Sequence, residues 1–395
     1  MSWKESDVME ERDRFVREWE RNGVTFSDLC DEYGISRTTG YKWLRRYQSE
    51  GVEGLRDLSR RPLNSPTNTP AEMVEKIVEQ RARHPSWGGR KIARRLTVMG
   101  VEGVPQPSTV NNVLRRLGLA RTQMRRRRPA RPGRPTTIVS APNDLWAADF
   151  KGQFLMRNGQ YCYPLTVTDQ FSRYLLACKA LDSTEHVSSY SVFERLFREY
   201  GLPQAIRTDN GSPFASNGLA RLSRLSVYWI KLGIHPELIE LGSPQQNGCH
   251  ERMHRTLKAE ATRPPQINLN IQQRCFNRFR SIFNTERPHE ALKMETPQSV
   301  YKPSRRCYPK RLPEPQYPAH FQVRYVSANG GIRWNCEWIN VSSVLVGEHV
   351  GFEPVDEAIW SVYFFDYLIA RFNERTMRLE ELPTPACRIV ASKRQ

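Results

Sequence analysis

Hydrophobic positions near the start of the chain recur at helical spacing. Phe26, Leu29, Cys30 and Tyr33 fall on one face and predict a short helix. Gly34 can take the left-handed conformation that ends it, and Ser36 can cap the next helix. That next helix is SRTTGYKWLRRYQSEG, with Tyr41, Leu44 and Tyr47 expected in the core. Residues 1–63 therefore read as a helix-turn-helix, a motif whose second helix lies in the DNA major groove. Arg37, Thr38, Lys42, Arg45 and Arg46 would be its exposed contacts. An ordinary helical hairpin with a solvated basic face is the plainer alternative.

Residues 64–120 repeat the theme. Thr69-Pro70 opens AEMVEKIVEQRARH, and His84-Pro85-Ser86-Trp87-Gly88-Gly89-Arg90 interrupts before RKIARRLTVMG. Pro107-Ser108 opens STVNNVLRRLG, with Ser108 as N-cap and Gly118 as the stop. A second helix-turn-helix, winged or not, is expected. Asn111, Asn112, Arg115 and Arg116 are its candidate DNA contacts.

From residue 141 the pattern changes. Leu145–Phe154, Cys162–Asp169 and Tyr174–Leu181 read as consecutive strands, followed by a helix near Thr184–Tyr200 and a strand at Ala205–Thr208. Such an order predicts an α/β layer over residues 141–303. Residues 304–395 open with the Pro-rich CYPKRLPEPQYP and continue as short β segments. Phe321–Val326 and Ile332–Trp338 flank a turn containing Asn329-Gly330-Gly331, which predicts a hairpin. Val350–Glu353, Trp360–Phe365 and Leu368–Phe372 complete a small five-stranded barrel. The expected whole is multidomain, with an all-α front, an α/β core and an all-β end.

Charge narrows the partner. The 395 residues carry a net charge of +18, and the positive charge is clustered. A polyanion is the natural partner, nucleic acid first. Residues 121–140 form a basic linker. Its first fifteen, RTQMRRRRPARPGRP, hold seven arginines and no acid, so Arg125, Arg126, Arg127 and Arg128 are expected on phosphates or in a minor groove. No apolar run approaches the ~18–20 residues of a membrane helix, and MSWKESDVMEERDRF has no signal-like apolar core, so no membrane partner is expected. The eight cysteines are scattered without a C-x-x-C pair, which suits reduced thiols in a cytoplasm.

Three acids stand out by context. Asp149 lies inside the first strand, in WAADFKG. A carboxylate there is costly to bury unless it is paired or binds a metal. Asp209, in RTDNGSPF, follows the fourth strand at its carboxyl end, where α/β sheets place their sites. Glu251, in SPQQNGCHERMHRTLKAE, starts a helix. On that helix Cys249, Met253 and Leu257 form the expected buried stripe. At ~100° per residue, Glu251, Arg255 and Lys258 share the opposite side. Three carboxylates can hold a pair of Mg²⁺ or Mn²⁺ ions for in-line phosphoryl transfer.

The stretches W-A-A-D-F, V-T-D-Q-F-S-R-Y, R-T-D-N-G-S-P-F and S-P-Q-Q-N-G-C-H-E-R-M-H-R-T-L-K, in this order, resemble the integrase core of bacterial insertion-sequence transposases and retroviral integrases. F-N-T-E-R-P-H-E-A-L and T-P-Q-S-V-Y resemble its end in the bacterial group. Y-G-I-S-R-T-T-G-Y-K-W and H-P-S-W-G-G-R-K-I resemble that group's DNA-binding region. The resemblance implies a ribonuclease-H-like core with Asp149, Asp209 and Glu251 as the catalytic, metal-binding triad. It implies binding of double-stranded DNA at transposon ends, cleavage that frees 3′-hydroxyls, and their transfer into target DNA. Arg255 and Lys258 would contact DNA beside the metals. Two ends require at least a homodimer, in a bacterial cytoplasm at the nucleoid. The 41 residues between Asp209 and Glu251 exceed the family's usual gap, and the excess is assigned to the helix GLARLSRLSVYWIKLG.

Competing readings remain. His250-Glu251-Arg252-Met253-His254 matches the zinc-protease pattern H-E-x-x-H, but no third ligand is evident downstream. Asp169 reads as structural, through Ser172 or Arg173, and Trp146 as core. Asn210 and Gly211 would shape the turn at Asp209. Arg287 and His289 either touch DNA or fix a helix-to-loop turn. No G-x-x-x-x-G-K-[ST] loop occurs, so any ATP use would belong to a separate helper ATPase. A DNA-binding regulator with an idle core is the alternative from another class.

Overall fold

The computed structural model describes residues 7–21, 23–58, 69–120, 137–240 and 244–381. Its chain divides into two compact units, residues 1–68 and 69–395.

The first unit holds α1 (Val8–Glu20), α2 (Phe26–Glu32) and α3 (Arg37–Glu50). Thr25 caps α2, and Ser36 caps α3 by accepting from Thr39 N–H. Gly34 has the positive φ that the turn between them needs. The core is Phe15, Val16, Phe26, Leu29, Cys30, Trp43, Leu44 and Leu55. The phase expected for α3 is corrected. Tyr41 is 46% exposed and Trp43 only 6%. Gly40 sets this phase: a Cβ there would lie 2.8 Å from Cys30 Sγ and 3.0 Å from Phe15 and Phe26. The backbone of α3 thus approaches α2 at Gly40, and Trp43 and Leu44 follow on the same face.

The second unit begins with α4 (Ala71–Arg83), α5 (Gly89–Val98) and α6 (Pro107–Arg116), packed around Ile77, Trp87, Ile92, Leu96 and Val110. Ser108 lies inside α6 and is not its cap; Gln106 is the N-cap and Pro107 takes the first turn, where its missing N–H costs nothing. No strand, and so no wing, lies among the described residues of 69–120. Gly89 is held against α6, donating to Asn111 Oδ1 at 2.9 Å, with no room for a Cβ beside Asn111 and Pro107.

The core sheet contains β1 (Leu145–Phe150), β2 (Phe154–Leu155), β3 (Tyr161–Asp169), β4 (Leu175–Leu181), β5 (Ala205–Thr208) and β6 (His235–Leu238). Its main order is β4-β3-β1-β5-β6, with β2 paired to the start of β3. β4, β3 and β1 are antiparallel, whereas β1, β5 and β6 are parallel. This is the ribonuclease-H-like arrangement. α7 (His186–Tyr200) and α8 (Arg224–Lys231) contribute to one core cluster with the sheet, and α9 (Gly248–Ala261) and α10 (Leu269–Thr285) to another. The short α11 (Pro297–Val300) ends this region.

The C-terminal part is all β: β7 (Gln322–Tyr325), β8 (Gly331–Trp334), β9 (Glu337–Asn340), β10 (His349–Asp356), β11 (Ile359–Phe364), β12 (Tyr367–Asn373) and β13 (Arg378–Glu380). Five of these form one antiparallel sheet in the order β13-β12-β11-β10-β7, and β8 pairs with β9. The expected hairpin at Asn329-Gly330-Gly331 is corrected. β7 pairs with β10, and the hairpin is β8–β9, turning at Asn335-Cys336, both with positive φ. Leu222, Val227 and Ile230, around α8 in the long gap before Glu251, lie in this domain's core cluster. Lys231 also pairs with Glu348 at 2.6 Å. Leu222, Val227, Ile230 and Lys231 of that gap therefore join the C-terminal domain to the core.

Candidate active site

The register of the sheet builds the site. β1 runs parallel to β5 with Leu145 opposite Ala205, Trp146 opposite Ile206 and Ala147 opposite Arg207. Continued by two residues, that register sets Asp209 level with Asp149 on the neighbouring strand's line. Adjacent strands lie ~4.8 Å apart, so the two residues stand at neighbouring positions at the carboxyl ends of two parallel strands. Gly211 N–H donates to Asp209 Oδ1 at 3.2 Å, and Asn210 Nδ2 donates to Ile239 O at 2.8 Å, so the turn behind Asp209 is built from its own side chains.

Glu251 arrives from a different element. Its helix start is tied to β5, because Arg207, in a buried pair with Glu237 at 2.6 Å, donates to Gln246 O at 3.2 Å. Glu251 then stands in the first turn of α9; it is exposed, and so are Arg255 and Lys258 further along the helix.

Asp149 feels both other acids. Its carboxyl is pushed up to about 7, first by burial, then by Asp209 and further by Glu251, against a partial offset from Phe150 N–H and Lys151. Negative charge is thus concentrated at one point and opposed only in part by nearby protein cations. Lys151, which sequence reasoning passed over, lies close enough to Lys258 and Asp149 to feel both; burial and then Lys258 push its ammonium down. Its place two residues after Asp149, in WAADFKG, was the available signal.

The buried stripe of α9 is corrected. It consists of His250, Met253, His254, Leu257 and Ala261, while Cys249 is only half-buried. Both histidines face β3. Thr166 Oγ1 lies 2.7 Å from His250 Nε2 and 2.7 Å from His254 Nε2, and Thr168 Oγ1 lies 2.8 Å from His250 Nδ1. His254 Nδ1 is 3.6 Å from Asp149 Oδ2. Burial holds His250 down to about 3 and, with His250 and Lys151, His254 down to about 2, so both rings are neutral. Among the described residues, Asp149, His250 and His254 are a group whose ligand atoms lie within 4.8 Å of one another. The carboxylate oxygens suit a hard divalent cation. Such an ion would offset the negative charge gathered at Asp149 by Asp209 and Glu251.

The other singled-out residues divide. Arg37, Thr38, Lys42 and Arg45 are exposed along α3. Arg46 is half-buried, donates to Arg56 O at 2.6 Å and lies over Trp43, so it braces its own module. Arg115 and Arg116 are exposed on α6. Asn111 is a clasp for Gly89, and Asn112 accepts from Arg115 at 2.9 Å. Arg125, Arg126, Arg127 and Arg128 lie outside the described residues. Arg255 lines a groove of about 490 Å³ with Arg81, Asn111, Thr256 and Arg287. Asp169 is fully buried and accepts from Asn143 N–H at 2.7 Å and from Ser172 N–H and Oγ at 2.7 and 2.6 Å, a structural role. Arg287 is buried on Glu260 at 3.0 Å, and His289 pairs with Glu295 in an isolated bridge, so both fix the chain after α10. No helix of the described residues is long and apolar enough to cross a membrane.

The signature of an integrase core domain matches residues 139–244 and again 232–297. A helix-turn-helix domain matches 11–62, and a homeodomain-like domain matches 39–114. The chain is 28% identical over 287 residues to an uncharacterized 39.2 kDa protein of insertion element IS476 from Xanthomonas euvesicatoria, covering 69% of this chain and 72% of that protein. It is 32% identical over 132 residues to the Gag-Pol polyprotein of baboon endogenous virus (strain M7), covering 33% of this chain. The chain spans only 7% of that polyprotein's length. Among solved structures it is similar to the HTLV-2 integrase catalytic core domain in complex with magnesium, at 17% identity and a TM-score of 0.33, covering 41% of this chain and 98% of that one.

Proposed function

We propose, for a chain that carries an integrase core domain behind helix-turn-helix domains, that it is the transposase of a mobile DNA element. Asp149, Asp209 and Glu251 are its catalytic carboxylates. They would hold divalent cations, Mg²⁺ or Mn²⁺, two per site. Held by these carboxylates, such ions would supply activation of the attacking oxygen and charge stabilisation of the leaving one in an in-line displacement.

The chain's own residues do the positioning. Asp149, in β1, and Asp209, just past the end of the parallel β5, fix one side of the site, and Glu251 closes it from α9. Lys151, Arg255 and Lys258 supply the positive rim that holds a phosphate backbone beside the acids. In the first reaction water attacks a phosphodiester at the element's end. A new P–O bond forms as the water gives up a proton, the P–O3′ bond breaks, and the freed 3′-oxygen takes up a proton to become the 3′-hydroxyl. In the second, that 3′-hydroxyl attacks a target phosphodiester and displaces another 3′-oxygen. Arg37, Thr38, Lys42 and Arg45 on α3, with Arg115 and Arg116 on α6, would bind the end DNA. Two ends call for at least two copies, in a bacterial cytoplasm. The division of labour follows residues 1–63 and 64–120 for binding, 141–303 for chemistry and 304–395 as an added β domain.

The observation that carries this reading is the β1–β5 register, which brings Asp149 level with Asp209 at the carboxyl ends of two parallel strands, with Glu251 in the first turn of α9. The test is nicking of inverted-repeat end DNA in Mg²⁺. Wild type should nick at the ends. Asp149→Asn should lose nicking by the several orders of magnitude expected of a group that holds the catalytic ions, while still binding the DNA. Binding without nicking by the wild type would make the chain a regulator with an idle core.

A further inference from the structure

The hydrogen bonds beneath Asp149 fix the protonation of two histidines. Thr166 stands opposite Asp149 in the β1–β3 register. Its hydroxyl has one proton and two lone pairs. Three partners surround it: Asp149 O at 3.0 Å, His250 Nε2 at 2.7 Å and His254 Nε2 at 2.7 Å. A carbonyl oxygen can only accept, so the Thr166 proton goes to Asp149 O. Both imidazoles must then donate from Nε2 into the two lone pairs of Thr166. This assignment satisfies all three contacts at once.

The consequence differs for the two rings. His250 Nδ1 accepts from Thr168 Oγ1 at 2.8 Å, so both of its nitrogens are committed. His254 Nδ1 carries a bare lone pair and faces Asp149 Oδ2 at 3.6 Å. That separation is too long for a hydrogen bond. When Asp149 is ionised the two atoms are both acceptors, and a cation between them satisfies both. Two ligands each ~2.1 Å from one ion stand ~3.0–3.4 Å apart, depending on geometry, which is close to what is found here. Thr166 holds the His254 ring in place by its far nitrogen, as hydrogen-bonded partners do behind histidine ligands of metals.

We propose that His254 Nδ1 is a nitrogen ligand, together with Asp149, for one divalent cation of the site. The inference rests on the carboxylate-site reading above. It makes the pocket a mixed oxygen–nitrogen site rather than an all-carboxylate one. Such a site favours Mn²⁺ and later first-row ions over Mg²⁺, which prefers oxygen ligands. It also separates the two halves of the H-E-x-x-H pattern: His250 braces the sheet, and His254 serves the ion.

The test uses the full chain with Mn²⁺ as probe. Electron spin-echo modulation of bound Mn²⁺ should show coupling to one directly bound ¹⁴N, replaced by the ¹⁵N pattern when histidine alone is isotopically labelled. His254→Gln should remove that coupling, weaken Mn²⁺ binding roughly tenfold or more, and leave Mg²⁺ binding nearly unchanged. Bound Mn²⁺ with no nitrogen coupling in the wild type would overturn the inference without needing any variant. Asp149→Asn separates the two ideas. If it abolishes Mn²⁺ binding while the wild type shows no nitrogen coupling, only His254's role fails. If it leaves Mn²⁺ binding intact, the carboxylate site itself fails, and His254's role with it.

Discussion

The two helical modules are built from similar arginine-rich sequence and use it differently. In the module of α1–α3, Arg37, Lys42 and Arg45 of α3 are exposed while Trp43 and Leu44 are buried, and the Lys42 ammonium lies 4.5 Å from the Trp43 ring. In the module of α4–α6, several arginines are spent on the catalytic core. Arg95 pairs with Glu286 at 2.9 Å, Arg83 approaches the same carboxylate at 3.5 Å, and Arg94 pairs with Glu295 at 2.5 Å. Ser86 hydrogen-bonds to Glu260, which also holds Arg287. A run of arginines is therefore a weak sign of a DNA contact until its acidic partners are known.

The sharpest way to break this comparison is Trp87→Ala. Trp87 is fully buried, stacks on His84 at 3.8 Å, and its carbonyl accepts from Arg81 at 2.5 Å. Its loss should cost roughly 3–5 kcal/mol. Because α4–α6 are joined to the core, denaturant unfolding should shift for core tryptophans as well. Separate melting of residues 69–120 with an unmoved core would contradict the joint unit. Next in size, Gly40→Val forces a side chain against Cys30, Phe15 and Phe26 and should cost about 1–3 kcal/mol. Hydrogen exchange should register that loss in residues 7–58 and leave the core amides unchanged.

A smaller effect separates the arginines by role. Lys42→Ala should flatten the salt dependence of end-DNA binding by about one logarithmic unit per decade of salt, the signature of one lost phosphate contact. Arg95→Ala should leave that slope unchanged and lower stability instead. Equal slopes for the two variants would erase the distinction. The last effect depends on pH and lies in the core. Asp149's carboxyl is raised to about 7 in the fold from an ordinary 3.8, so the folded state holds its proton more tightly than the unfolded chain. The stability this confers is present below about pH 4 and is lost as pH rises through 7. Metal-free Asp149→Asn should therefore gain on the wild type in thermal melts as pH rises from 4 to 7. Saturating Mn²⁺ should close that gap by stabilising the wild type alone.

Much of this was legible where local chemistry decides structure. Ala205–Thr208 is a strand within its expected bounds, and Gly34 with Ser36 marks the turn before α3. What hid were features without a hydropathy signal. Gly40 sets the phase of α3 although glycine adds nothing to an apolar stripe, so Tyr41 was placed inside. His250 and His254 are polar by type yet buried, because Thr166 and Thr168 satisfy them from a strand some eighty residues away. The Asn329-Gly330-Gly331 turn is real, but a turn does not name its partner strand, and β7 pairs with β10. At the site, motif order pointed to Asp149, Asp209 and Glu251. Only the β1–β5 register brings the first two level.

The most direct measurement is anomalous diffraction from the full chain bound to end DNA and soaked in Mn²⁺. The account predicts ion density touching Asp149 Oδ2 and shared with Asp209 and Glu251. Density confined to other side chains, with the three carboxylates splayed apart around bound DNA, would contradict it.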